Sequence, residues 1–594
     1  MSACATTRLL TLLSLLTLLS SASSWATPIT VIGTNDLHGR VERVAALSGH
    51  LSIVRAQVEK QGGGVVLVDG GDMFQGTLES NLQEGAAVVA AYNHVGYDAV
   101  CIGNHEFDFG PVGPLVTSKS TSDDPRGALK ARARQAKFPF LASNIVDDAT
   151  NTPVDWPNVK PSVFVTEGRG KTKVKVGIIG LSTVDTPKTT IASNVKGLRF
   201  SPLLQSVLTQ AEALRKQGAQ IVVVTAHAGG KCTSIEEKPA LGFVPDAKLL
   251  RQKSAALHDA NDISSCEADQ EIMKLASGLP AGLVDVIVAG HTHQTMAHVV
   301  NGVPIIESWA NGRGFGRVDF DVDDKTGAVT LIKVHPPRKL CGDSKEADDA
   351  AIEACAPAPY QGQQPKIDQK LLTQLKPYLK DAKARRGQKL GVDVKSEVRR
   401  GYDQESALGN LFADLMHEVF PAADIALMNG GGIRANLPVG PLTYGAVFEM
   451  MPFDNRFATA SMSVAELRHV MEKNLSAQKK GGILSTSGLS ARVVCDVNGR
   501  AAVTLLRQDG NALKDSEQVL VVSTDFIALG GDGGLGIAED RVVVDEGEPV
   551  RERLVERFKA RGGNLVGDDV AVFNPKKPRL FRVENGNGRC PEGT

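Results

Sequence analysis

Short, nearly unbroken Val/Ile runs recur along the first half of the chain, and each stops at a cluster of polar, ligand-type residues. Residues 29–32 lead to Thr34-Asn35-Asp36-Leu37-His38, 65–68 to Asp69-Gly70-Gly71-Asp72, and 99–102 to Gly103-Asn104-His105-Glu106-Phe107-Asp108. Residues 221–224 lead to Ala226-His227-Ala228-Gly229-Gly230, and 284–288 to Gly290-His291-Thr292-His293. Apolar runs this short and without alternation predict strands buried on both faces. Amphipathic stretches between them, such as 204–217, predict helices and therefore α/β layering. In such sheets, ligands bind beyond the carboxyl ends of the strands. All five polar clusters lie at such ends.

The pattern breaks over 338–365, which is charge-rich and then rich in Ala, Pro, Gln and Gly. Ile367, Leu371, Leu372, Leu375 and Leu379 then form a helical stripe interrupted by Pro377, which predicts a linker helix over 366–386. A second α/β region follows. Its helix over 406–419 stops before Pro421, and a strand over 425–428 runs into Asn429-Gly430-Gly431-Gly432-Ile433-Arg434.

The first 26 residues read as a secretory leader. Arg8 is the only charge, residues 9–19 are the apolar core, and Ser24-Trp25-Ala26 puts small residues at both cleavage-defining positions. That core is too short to span a bilayer. No cysteine follows at a site suited to lipid attachment, and the tail 585–594 is polar. The expectation is an exported protein, periplasmic or secreted, with no membrane anchor. The predicted organisation is a signal peptide (1–26), a first α/β domain (27–340), a linker with its helix (341–387) and a second α/β domain (388–594).

Composition narrows the class. A chain of 594 residues with 42% apolar and 22% charged residues fits a globular protein of two to four domains. The net charge of −1 gives no electrostatic footprint for tracking along a polyanion, so no nucleic-acid partner is expected. Oligomeric state is left open. Of eight cysteines, Cys4 lies in the leader and seven remain, so at least one thiol is free. Cys101, inside an apolar run, is the candidate. The others fall into plausible pairs, Cys232–Cys266, Cys341–Cys355 and Cys495–Cys590, although spacing leaves the connectivity open.

The strand-end clusters supply seven oxygen and nitrogen donors: Asp36, His38, Asp72, Asn104, His227, His291 and His293. With no thiolate among them, they suit divalent Zn, Mn, Co or Fe. Seven donors exceed one tetrahedral site, so two ions sharing a bridging Asp72 are expected. Asp36, His38, Asp72 and His293 would hold one ion, and Asp72, Asn104, His227 and His291 the other. Such a pair clamps a phosphoryl group and generates a hydroxide nucleophile near neutral pH. His105 is left out of that count. With Asp108 three residues on, it reads as an oriented imidazole that stabilises the transition state or protonates the leaving oxygen.

In order and spacing, Asp36-x-His38, Gly71-Asp72, Gly103-Asn104-His105-Glu106, His227 and Gly290-His291-x-His293 resemble the calcineurin-like metallophosphoesterase signature. In the second half, the Gly-rich Asn429–Arg434 segment, Phe453, Phe526 and Asp532 resemble the C-terminal domain of the exported 5'-nucleotidase family, which includes bacterial UDP-sugar hydrolases. That resemblance implies a layered α/β metallophosphoesterase domain, a linker helix and a C-terminal α/β nucleotide-binding domain. It implies a nucleoside pocket built from Asn429, Gly431, Arg434, Phe453, Phe526 and Asp532, with Arg400 as the nearest match to a further family arginine. The implied reaction is release of phosphate from nucleoside 5'-monophosphates by metal-activated hydroxide attack, extending to UDP-sugar or dinucleotide pyrophosphates. Alternatives are a 2',3'-cyclic-nucleotide phosphodiesterase/3'-nucleotidase, a thiosulfohydrolase-like enzyme and, from another class, a non-catalytic metal-dependent nucleotide-binding module.

Overall fold

The computed structural model describes residues 26–169, 173–233, 259–342, 351–477, 481–545, 547–567, 569, 572–583 and 588–591. The leader assigned to 1–26 lies outside them except for Ala26, which opens the first strand. Most of the segment between Cys232 and Cys266 also lies outside.

The predicted strands form, but in two sheets. Ala26–Thr34, Gly64–Asp69 and Ala99–Cys101 are parallel neighbours in a seven-stranded sheet. Ile221–His227 and Val286–Val288 are parallel neighbours in a six-stranded one. Ile29, Val31, Val66, Val68, Val223, Val286 and Val288 form the core between the sheets. Gly33 permits their close approach, because a Cβ there would lie 2.5 Å from a methyl of Val288. The opposite faces pack under helices: Val44–Lys60 and Ala86–Val95 on one side, Leu203–Lys216 and Glu271–Gly278 on the other. The result is a helix–sheet–sheet–helix sandwich, and the unbroken apolar runs are strands covered on both faces.

The linker helix runs as one element, Gln369–Arg386, straight through Pro377. The stripe is therefore not interrupted. A helical proline costs about 3 kcal/mol, and burial of Leu371, Leu375 and Leu379 in the first core offsets it. The helix N-cap is Asp368, whose side chain accepts the Leu371 N–H. Ala382, one turn before the end, joins the second core. One helix thus anchors in both halves.

Arg386 completes that junction. It donates to both carboxylate oxygens of Glu79 at 3.0 and 2.7 Å, and also to Glu449 of the second half. Arg386→Ala should destabilise the protein by about 1–3 kcal/mol, between an exposed pair and a fully buried one. Urea unfolding of the variant checks this; an unchanged midpoint would make the bridge energetically neutral.

The second half centres on a five-stranded mixed sheet containing Ile425–Asn429 and Gln518–Thr524, with the helix Ala407–Val419 packed against it. Ser406 caps that helix by accepting the Gly409 N–H. The three expected cysteine pairs are disulfides, and Cys101 is a buried free thiol.

Candidate active site

Each cluster sits where a parallel strand ends, and the turns are tight. Asp36, His38, Asp72, His291 and His293 all adopt left-handed backbone, with φ between 47° and 77°. Such conformations cost about 1–3 kcal/mol each in a non-glycine residue and collect at functional sites. Gly71 and Gly103 allow the second and third turns to touch, since a Cβ on Gly103 would lie 2.2 Å from Asp72 Oδ1.

Six of the seven candidate ligands converge as two groups, and the seventh, Asn104, lies beside the second. Asp36, His38 and His293 form one, and Asp72, His227 and His291 the other. In the first, the Nε2 atoms of His38 and His293 face each other at 3.0 Å, and Asp36 Oδ1 lies 3.3 Å from His293 Nε2. In the second, His227 Nε2 lies 3.0 Å from Asp72 Oδ2, 3.0 Å from Asn104 Oδ1 and 3.1 Å from His291 Nδ1. All but His291 and His293 are buried.

This arrangement fits divalent cations. Asp36 Oδ1 is buried without a hydrogen-bond partner among the described residues. His38 and His227 each donate from Nδ1 to a backbone carbonyl, Gln75 at 2.9 Å and Gly70 at 2.8 Å, which turns Nε2 toward the centre. Burial lowers the His227 imidazole, but Asp72 beside it outweighs burial and holds it up at about 10, so a cation there would take the place of its Nε2 proton. Burial, aided by His293 beside it, pushes the His38 imidazole down to about 3. Burial and His227 push His291 down to about 4. Neutral imidazoles are the form that binds a metal.

His105 stands beside both groups. Its backbone N–H donates to Asp72 Oδ1 at 2.8 Å, and its Nδ1 pairs with Asp108 Oδ2 at 2.6 Å. Thr190 holds the other Asp108 oxygen at 2.7 Å. Burial lowers the His105 imidazole, but the carboxylates of Asp108 and Asp72 outweigh it and hold it above its ordinary range. Its Nε2 lies 3.9 Å from Asp72 Oδ2, on the side of the ligand groups. An imidazolium oriented in this way can donate a proton or a strong hydrogen bond.

The second half reaches the same cleft. The Phe453 ring stacks on His105 at 5.5 Å between centroids, and the Arg434 guanidinium lies 5.8 Å from the Phe453 ring centre. Gln75 of the first half donates to the Pro452 carbonyl at 2.9 Å, fixing the Phe453 loop beside the Asp72 loop. Asn429 donates to Asp532 Oδ2 at 3.0 Å, while its own Oδ1 is buried without a hydrogen-bond partner among the described residues. Gly431 packs closely there, since a Cβ on it would lie 3.2 Å from Asp532 Oδ2. Phe526 is half-buried at the start of that loop. Arg400 donates to the Ile433 carbonyl at 2.7 Å, so it supports the Gly-rich loop directly.

Three residues outside the predicted set organise the site. Glu106 accepts backbone N–H groups from Asp72, Met73, Phe74 and Gly103. Glu307 accepts from Thr292 and Gln294, and Asn35 donates to Asp36 Oδ2 at 2.8 Å. Burial, with the charges of Asp72 and Asp36 close by, pushes Glu106 and Glu307 up to about 8, and cations held by those aspartates would favour the carboxylate form of each. A lone Glu at the end of the otherwise uncharged run 303–308 is the signal that the sequence offers for Glu307.

Residues 29–295 match the calcineurin-like phosphoesterase model, and residues 387–539 match the 5'-nucleotidase C-terminal domain model. The first match implies bound divalent ions, in keeping with the two ligand groups. Protein UshA of Yersinia enterocolitica is 27% identical over 539 residues, covering 85% of this chain and 86% of that protein. A 5'-nucleotidase of Vibrio cholerae is 25% identical over 590 residues, covering 93% of each. The solved 5'-nucleotidase precursor from Thermus thermophilus shares the fold with a TM-score of 0.66 at 24% identity, covering 91% of this chain and 100% of that one. The sulfate thiohydrolase SoxB of the same organism shares the fold at 0.63 and 17%, covering 95% and 98%. Two matched domains, in the order and over the strand ends that build this cleft, place the chain in the family that joins a calcineurin-like phosphoesterase domain to a 5'-nucleotidase C-terminal domain, and make it a metal-dependent phosphoester hydrolase.

Proposed function

We propose that the enzyme hydrolyses nucleoside 5'-monophosphates, with two divalent ions held by Asp36, His38, Asp72 and His293 and by Asp72, Asn104, His227 and His291. The observation that carries this reading is the contact between halves: Phe453, a candidate base-stacking ring, lies against His105, the candidate acid. One cleft therefore offers an aromatic face and a phosphoryl site to a single small molecule. The relatives' names, 5'-nucleotidase and UshA, support the same substrate class.

Bound divalent ions would supply Lewis acidity toward phosphoryl oxygens and toward the attacking water. The chain's own residues do the rest. Asp108 orients His105 so that its Nε2 meets charge developing on the phosphoryl group or leaving oxygen. Arg434 offers a guanidinium to the phosphate or ribose side. Phe453 and Phe526 supply stacking surfaces, and Asn429 and Asp532 supply polar partners for the nucleoside. The proposed division is 27–340 for the metal-binding half, 341–387 for the linker and 388–594 for the substrate-binding half. Export to the periplasm or medium is part of the same proposal.

Base stacking contributes about 1–3 kcal/mol per ring. Phe526→Ala should therefore cut kcat/KM for AMP by roughly 10–100-fold and leave p-nitrophenyl phosphate within about twofold. Phe453→Ala should reduce both, because it also uncovers His105. Equal losses on both substrates for Phe526→Ala would make that ring a packing residue. A phosphate-release panel of AMP, 3'-AMP, cyclic 2',3'-AMP and UDP-glucose tests the substrate class. AMP should lead; a lead by 3'-AMP or the cyclic nucleotide would overturn the 5'-specific reading.

A further inference from the structure

Glu307 is the penultimate residue of the strand Val303–Ser308 and is 1% exposed. Its Oε1 accepts the Thr292 hydroxyl at 2.7 Å and the Gln294 N–H at 3.0 Å, and its Oε2 faces the Gly230 N–H at 3.4 Å. Thr292 Oγ1 also lies 2.8 Å from the Gly230 carbonyl, so its single proton lies between two acceptors. The two loops are in direct contact at this point, because a Cβ on Gly229 would lie 2.2 Å from Thr292 Oγ1. His291 and His293 flank Thr292, both in left-handed backbone. Strained turns of this kind persist only where their surroundings over-determine them. Two oxygens, aimed at donors on separate loops, are what a carboxylate supplies and an amide does not.

The adjacent residue works on the other group. The Ser308 N–H and hydroxyl both donate to Asn35 Oδ1 at 2.9 Å, and the Asn35 amide donates to Asp36 Oδ2 at 2.8 Å. The end of one strand thus fixes ligand-bearing turns from both sheets.

We propose that Glu307 is a positioning residue, whose carboxylate locks the turn carrying His291 and His293 onto the segment that follows His227 and so sets the spacing between the two ligand groups. It touches neither substrate nor ligand atom. This inference rests on the assignment of those histidines to the metals.

Glu307→Gln keeps size and shape but must turn an NH2 group toward an N–H or hydroxyl donor. Loss of such an outer partner typically costs 10–100-fold in metal affinity or activity. The expected result is a loss of that size in Co²⁺ affinity, a shifted d–d absorption spectrum of the Co²⁺-loaded protein, and a similar fall in kcat. KM for AMP should stay within about threefold, because the nucleoside residues lie on the other half. Thr292→Val should follow Glu307→Gln, whereas Thr292→Ser, which keeps the hydroxyl, should restore wild-type behaviour. Wild-type Co²⁺ affinity and spectrum in Glu307→Gln would overturn the proposal. So would losses that track a lowered melting temperature of the metal-free protein with the Co²⁺ spectrum unchanged. Failure of the wild-type protein itself to bind Co²⁺ would instead overturn the metal assignment on which the inference stands.

Discussion

Asp72→Asn should lower turnover by at least about 10³-fold, the equivalent of the several kcal/mol that metal chemistry contributes to a phosphoryl transition state. Asp72 is the carboxylate proposed to bridge the two ions. Its Oδ2 lies 3.0 Å from His227 Nε2, and its Oδ1 accepts the His105 N–H. Burial raises the Asp72 carboxyl, but His227 and His105 beside it outweigh burial and hold it well below the usual carboxylate range. Asn matches the shape, so the strained turn at φ 55° should survive, and Asn tolerates that conformation well. What disappears is the negative charge and one acceptor between the two groups. Metal analysis of the purified variant should find fewer ions per chain than in the wild type. Wild-type metal content together with wild-type turnover would remove Asp72 from the bridging role.

His105→Ala has the second-largest expected effect and the opposite metal signature. Removing an acid–base group typically costs about 10²–10⁴-fold. His105 donates no ring nitrogen to either ligand group, so both ions should be retained. The ring also supports Phe453, and a loss of activity could reflect a displaced loop. His105→Gln preserves bulk beneath Phe453 without an imidazolium, and should be nearly as inactive as His105→Ala on p-nitrophenyl phosphate. Loss of metal along with activity would make His105 a ligand. Recovery in His105→Gln alone would make it a support for Phe453.

Much of the site is legible in the sequence because its chemistry is local. Asp36 and His38, Asn104 and His105, and His291 and His293 lie one or two residues apart, each pair just past an apolar run. The three plausible cysteine pairs all form, although spacing alone left their connectivity open and the fold decided it. The linker stripe reads as a helix, but its proline reads as a break that the fold does not make. Local propensity disfavours Pro377, and only burial of Leu371, Leu375 and Leu379 against the first core decides otherwise. Glu106 and Glu307 escape notice as organisers for a related reason. Their partners are largely backbone N–H groups, which nearly every residue carries and no residue type advertises.

By itself the sequence determined the strand ends, the donor types and the two-part organisation, because hydrophobic periodicity and ligand chemistry are properties of short segments. Only the tertiary structure decided how those segments combine. Asp36, His38, Asp72 and Asn104 come from one sheet, and His227, His291 and His293 from the other. They meet because the two sheets pack face to face through the Val and Ile side chains between them. It also decided that Phe453, some 350 residues from His105, should lie on that imidazole. Contacts of this kind depend on sheet order, inter-sheet packing and the helix Gln369–Arg386 that joins the halves. None of these is a property of any one segment, since each arises from burying surfaces that the chain brings together only when folded.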